Sequence, residues 1–133
     1  MMVNTGILII RLVIGLLFIG HGAQKLFGWF GGNGLKATGG WFDAIGMKPG
    51  IPMALIAGLV ELFGGIFFTL GLFTPIAGIM IAGTMVISIV KVHGRNGLWA
   101  VSNGYEYNLT MLAVAIGIAF IGPGQYALDS FLF

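Results

Sequence analysis

Apolar residues fall along the chain in four long stretches, near 5–27, 52–71, 75–93 and 106–123, separated by segments rich in glycine and polar residues. Each approaches the ~20 helical residues that a bilayer's hydrocarbon core requires. The punctuation is that of helices: Pro52 and Pro75 stand where a helix can begin with proline, and Gly71 and Gly122-Pro123 stand where one should stop. The LFTP turn between the second and third runs predicts an antiparallel hairpin. The pattern therefore predicts an all-α fold, an integral membrane antiparallel four-helix bundle formed by residues 1–133 as one domain.

Polar residues inside the runs recur at helical spacing. At about 100° per residue, Arg11, Gly15, Phe18, His21, Gly22 and Lys25 share roughly one third of the first helix's circumference. In the second run Ala54, Ala57, Gly58, Glu61, Gly64, Gly65 and Phe68 form a similar face around a single acid. Ala77, Ile81, Thr84, Ser88 and Lys91 line one side of the third run, with His93 pointing away at its end. In the fourth, Glu106, Thr110, Ala113, Gly117 and Phe120 align.

Glu61 lies roughly 14 Å along its helix from Pro52 by helical rise, near the bilayer midplane. A charge there costs on the order of 3 kcal/mol on insertion scales, so it needs a partner or a proton. Arg11, His21 and Lys25 are the candidate partners, and protonation of the desolvated acid is the alternative.

Composition supports a lipid-facing surface: 58% of the residues are hydrophobic and 8% charged, against roughly one quarter charged in soluble domains. The formal charge of +2, without a basic cluster, argues against a nucleic-acid partner. Absence of cysteine excludes disulfides, thiolate metal sites and thiol relays within this chain. The first run could be mistaken for a signal peptide. Arg11 interrupts it, no basic region precedes it and three further runs follow, so it is expected to be a retained helix.

The 24 glycines exceed what loops require, and those inside the spans would let backbones approach closely where lipid supplies little hydrophobic drive. The long connection from Gly28 to Ile51 carries Trp29, Phe30, Trp41 and Phe42, rings suited to headgroup level. With four spans, the first and third connections share a side that holds Lys25, Lys36, Lys48, Lys91 and Arg95. Cytoplasmic connections and external termini follow from the positive-inside rule.

That topology gathers His21, Lys25, Lys91, His93, Arg95, Tyr105 and Glu106 toward one half of the bundle, with Glu61 at the floor and Arg11 reaching from below. Any one of these residues could serve packing or snorkel to the interface. As a set they point to a ligand pocket, because a bundle needing only stability would avoid desolvating so many ionisable groups.

The glycines of GWFGGNGLKATGG match no dinucleotide fingerprint, and the serines lack a triad setting. No metal site is expected. Haem ligation by the histidines ranks below a quinone or phenol, because no ligand spacing favours it. The cofactor is otherwise unknown. A quinone's flat ring would lie against Phe18, Trp29, Trp99 or Tyr105. Its oxygens would accept hydrogen bonds from His21, Lys25 or His93, with Glu106 or Glu61 exchanging protons. His21, Glu61 and Glu106 are thus the candidate catalytic residues, and Arg11, Lys25, Lys91, His93, Trp99 and Tyr105 the candidate binding residues.

Three stretches, RLVIGLLFIGHGAQKLFGWFGG, ELFGGIFFTLGLFTPIAG and KVHGRNGLWAVSNGYEYNLTMLA, together resemble the DoxX family of small bacterial four-helix membrane proteins, in the expected order over nearly the whole chain. The family's motif positions fall on Gly20, His21, Lys25, Gly28, Glu61, Gly64, Gly65, Gly71, His93, Gly94, Gly104 and Glu106. The resemblance implies a multi-pass protein of the bacterial inner membrane. It also implies a quinone-linked redox role or one in quinone and catechol detoxification, performed as one subunit. It transfers no settled catalytic assignment. With no cysteine and no recognisable cofactor motif, catalysis would need a bound cofactor or a soluble redox partner docked at the basic cytoplasmic connections. Two other readings compete: a small-molecule transporter using Glu61 and His21 as a proton relay, and a structural subunit of a redox complex. Transport by four helices without an inverted repeat would call for a homo-oligomer.

Overall fold

The computed structural model describes all 133 residues, and its regular structure is helical. α1 spans Met2–Phe27, α2 Gly34–Ala44, α3 Gly50–Leu70, α4 Thr74–Ser88, α5 Glu106–Ile121 and α6 Leu128–Leu132. α4 continues into a π-helical turn, Ile89–His93, and a 3₁₀ turn, Gly94–Asn96. Three helical segments, Met2–Phe27, Gly50–Leu70 and Thr74–Asn96, are long and apolar enough to cross a membrane.

α5 is apolar but has 16 residues. At 1.5 Å per residue this is about 24 Å, short of a hydrocarbon core of about 30 Å. The expected fourth span to 123 therefore ends earlier, at Ile121. α2 was not expected. It folds part of the long first connection into a helix that lies on the start of α3, where the Asp43 carboxylate accepts the Gly50 N–H at 2.8 Å.

The tightest seam joins α1 to α3. Gly15 lies against Gly65 and Thr69, and Gly22 against Gly58 and Leu62, so the two helices run in opposite directions. A side chain at Gly15, Gly22 or Gly65 would strike the facing backbone. Close approach replaces the hydrophobic drive that lipid cannot provide. The faces expected on these helices are turned inward: Arg11, Gly15, Phe18 and Gly22 on α1, and Ala54, Gly58, Glu61, Gly64, Gly65 and Phe68 on α3, are buried.

α4 packs against α3 near the turn, with Gly64 beside Met80, and against α5, with Gly78 on Ala115 and Ala119. Ile14, Phe18, Phe68, Ile81, Met85, Met111 and Ile118 form the core among these four helices. Outward-facing apolar residues such as Leu16, Ile76, Ile79 and Phe120 are more than half exposed, as lipid contact allows.

The expected face of α5 is corrected. Asn108, Met111, Ala115 and Ile118 are its buried residues, whereas Thr110, Ala113 and Phe120 are exposed. Glu106, in the first turn, sits where a carboxylate is favoured by the helix dipole and need not enter the bundle. Asn108 goes inward because its amide finds a partner there, donating to Ser88 Oγ at 2.9 Å.

Candidate functional site

The inner wall of the site is built by the glycine seam. Gly58 lies against Leu26 and beside Lys25, which brings the Lys25 ammonium to 2.8 Å from Glu61 Oε1. The Glu61 side chain is 6% exposed and that of Lys25 25%, so the acid is sealed while its partner keeps some access. Lys25 is thus the partner that Glu61 needs.

One turn back on α1, His21 Nδ1 lies 3.3 Å from Gln24 Oε1, and Nε2 lies 3.2 Å from the Tyr107 hydroxyl of α5. Gln24 donates its Nε2 to the Phe30 carbonyl at 3.2 Å, which turns its oxygen toward the ring. This pattern assigns the neutral imidazole proton to Nδ1 and leaves Nε2 to accept from Tyr107. Phe18 meets the His21 ring edge-on, with ring centroids 5.8 Å apart.

These groups stand at the side of a cavity of about 600 Å³, within the size range of small-molecule sites. α2 and its following turn contribute Trp41, Phe42 and Met47; α3 contributes Met53 and Val60 as well as Glu61. From α4 and its π turn come Met80, Gly83, Ser88, Lys91 and His93, and from α5 come Tyr107 and Asn108. Thirteen of the 22 lining residues are hydrophobic, so the polar groups are isolated features in an apolar space. Four of the 22 are methionines, whose unbranched, polarisable side chains can adapt to ligands of different outline. A second, smaller cavity of about 250 Å³ lies alongside, lined by Gln24, Gly31, Gly32, Asn33 and Thr38 and sharing Lys25 and Trp41 with the first.

His93 was expected to point away from Lys91. Both line the main cavity, and the π turn between Ile89 and His93 changes the register on which that expectation rested. The connection after it is fastened to the same histidine: His93 Nδ1 donates to the Asn103 carbonyl at 2.9 Å, and Asn96 donates to the same oxygen at 3.0 Å.

Of the candidate residues, His21, Glu61, Lys25, Lys91 and His93 come together, while Arg11, Trp99, Tyr105 and Glu106 lie outside the cavity lining. The expectation that Arg11 reaches toward Glu61 is corrected. Its guanidinium is turned to the other end of the bundle, where it donates to the carbonyls of Thr69, Pro123 and Tyr126 at 2.8–3.2 Å. Thr69 is in the last turn of α3, whose carbonyls lack intrahelical donors. Trp29 and Trp99, 58% and 64% exposed, are likewise absent from the lining; Trp41, Phe42 and Tyr107 are the rings on it.

Sequence reasoning passed over Tyr107 and Asn108 as site residues. The usable signal was the stripe Asn108, Met111, Ala115, Ile118, which places one amide among apolar positions at helical spacing. No group of three or more His, Cys, Asp or Glu side chains is placed to hold a metal ion. His93 Nε2 is the one imidazole nitrogen on the cavity without a protein partner.

An apolar cavity with an ion pair and a tyrosine–histidine pair on its wall, inside a bundle of membrane-crossing length, defines a helical membrane protein with an internal polar site. The chain belongs to the DoxX family, whose model matches residues 6–94. A Bacillus subtilis protein named "Putative oxidoreductase CatD" is 30% identical, with 98% of this chain and 89% of the relative covered. The inner membrane protein YqjF of Escherichia coli is 28% identical over 97% of this chain and 93% of its own. An uncharacterized membrane protein of Mycobacterium tuberculosis is 31% identical, covering 92% and 78%. No solved structure matches the chain.

Proposed function

We infer that the main cavity binds a quinone or phenol, and that the protein is a membrane component of a quinone-linked redox or quinone and catechol detoxification system. The observation that carries this reading is the placement of Lys25–Glu61 and His21–Tyr107 on the wall of a mostly apolar cavity. A flat ring with oxygens at its edge needs apolar faces and a few convergent hydrogen-bonding groups. Lys91 adds a donor and the free Nε2 of His93 an acceptor for a phenol hydroxyl, and Lys91 forms no ion pair. Glu61, as the one acid on the lining, is the candidate proton carrier and His21 the second. The name given to the Bacillus subtilis relative, an oxidoreductase, agrees with this reading.

In the same reading α5 completes a four-helix span, the protein is a multi-pass component of the bacterial inner membrane, and a soluble redox partner docks at the cytoplasmic connections. Electron transfer to or from a bound ring belongs to that partner or to a cofactor still to be identified, since the chain has no cysteine of its own.

Trp41 reports occupancy directly. In a Trp29→Phe, Trp99→Phe background, a benzoquinone should quench Trp41 fluorescence saturably, and Glu61→Gln or His21→Ala should weaken binding by about tenfold, the worth of one lost hydrogen bond to a charged or buried group. Unsaturable quenching that neither variant alters would overturn the assignment.

A further inference from the structure

We propose that this cavity is loaded sideways from the bilayer, through the gap between α3 and α4, and that its ligand is a membrane-dissolved amphiphile with a flat polar head and an apolar chain. The inference rests on the ring-binding reading above and adds the route of entry and the chain.

The gap follows from where α3 and α4 touch. Near the turn that joins them, Gly64 has Met80, Ile81 and Ala77 for neighbours. Nearer α2 and the π turn, Met53, Ile56, Ala57 and Val60 of α3 and Gly83, Thr84 and Ile87 of α4 line the cavity. Gly83 marks the opening: no atom lies within 4 Å of the place where its Cβ would stand. Small residues inside membrane spans usually serve close helix contact; Gly83 serves none.

The rim has the chemistry of a lipid boundary. Ile56, Ile79 and Ile87 all line the cavity, yet they are 55%, 68% and 50% exposed, so each has one side toward the cavity and one toward the acyl chains. Most of the polar groups lie away from the rim: Lys25, Glu61, His21 and Tyr107 come from α1, the inward side of α3 and α5, Ser88, Lys91 and His93 lie toward the end of α4 and its π turn, and the Thr84 hydroxyl is spent on the Ile81 carbonyl. Polarity therefore rises from the rim to the far wall. A ligand with a hydrogen-bonding ring and an apolar chain matches that gradient, with the ring seated against Lys25 and Tyr107 and the chain lying in the gap.

A water-soluble ligand has a different path, past α2. There the smaller polar cavity adjoins the main one at Lys25 and Trp41. That side is suited to water and protons and carries no apolar rim for a chain. The two cavities thus divide the traffic: the ring and chain arrive from lipid, and protons reach the Lys25–Glu61 pair from the aqueous side.

The test uses the protein in lipid nanodiscs with two probes that share one head: a dimethoxy-methyl-benzoquinone with a decyl chain and the same ring without it. Gly83→Phe places a ring in the open gap without displacing backbone, and Ile79→Trp narrows the rim should the first variant fail to fold. Either variant should slow loading of the decyl quinone by about tenfold or more while changing loading of the chainless ring by less than about twofold. Equal effects on both probes, or none on either, would overturn sideways entry and leave the ring site intact. If neither probe occupies the wild-type cavity saturably, the ring-binding reading itself falls, and the entry route with it.

Discussion

Glu61 owes its place in the bundle to one neighbour. An ionised carboxylate at that depth costs on the order of 3 kcal/mol or more without a partner, and the Lys25 ammonium at 2.8 Å is what offsets it. The partners are unequally buried, so the two single substitutions should differ. Lys25→Met leaves a sealed carboxylate alone and should cost about 3 kcal/mol, the lower end of what an orphaned buried charge costs. Glu61→Gln leaves a lysine that can turn toward its exposed side, and should cost less. The double variant should be more stable than Lys25→Met by itself. Unfolding in detergent or nanodiscs reads all three, and strictly additive losses would show that the pair contributes nothing. The need for a partner was legible in the sequence, because Glu61 is the one acid in its span. Which cation answers it was not, since Arg11, His21 and Lys25 share a face and only the register of the glycine seam selects among them.

Between elements, most of the unexpected structure lies in short segments whose pattern is weak. α2 consists of GLKATGGWFDA, eleven residues of which three are glycine, too short and too glycine-rich to hold a helix alone, so it depends on tertiary contact with α3. The π turn is set by how α4 ends, which apolar periodicity does not encode, and its effect was to misplace His93. The C-terminal segment holds a further device: the Asp129 carboxylate of α6 accepts the N–H groups of Phe73 at 2.7 Å and Thr74 at 2.9 Å, capping the start of α4 from far along the chain. Gly71, with φ 66° and Arg11 and Ala127 close by, makes the turn that this cap holds. Desolvation alone would raise the Asp129 carboxyl, but hydrogen bonds from Thr74 and Phe73 and the charge of Arg11 outweigh it and hold it below the usual carboxylate range. A lowered folded-state value means that the stability it contributes is fully present above the ordinary value of about 3.9 and is lost as pH falls through the lowered one. Asp129→Asn should therefore lower the melting temperature at neutral pH, and the difference from wild type should shrink only in strong acid. A difference that is already gone near pH 5 would refute the cap.

At the scale of the whole molecule the two ends of the bundle are chemically unlike. Lys25, Lys91, His93 and Trp41 meet around one cavity, so the first and third connections lie at the same end. Lys36, Lys48 and Arg95 belong to those connections. At the other end the Arg11 guanidinium is buried against backbone carbonyls, which leaves no free lysine or arginine side chain there. Positive charge near span ends is retained in the cytoplasm, whereas acidic residues count for little, so Asp43 and Glu106 do not cancel the bias. The cavity end should face the cytoplasm, and the clamp formed by Arg11 and Asp129 should face outward. Because the chain has no cysteine, single cysteines report this without background. Ala37→Cys on α2 and Gln125→Cys beyond α5 are both at exposed positions. A membrane-impermeant maleimide should label Gln125→Cys in spheroplasts and Ala37→Cys only after the membrane is opened. The reverse pattern would put the small polar cavity on the external side. Protons would then reach the Lys25–Glu61 pair from outside the cell, and a cytoplasmic redox partner would have no access to the connections that line the site.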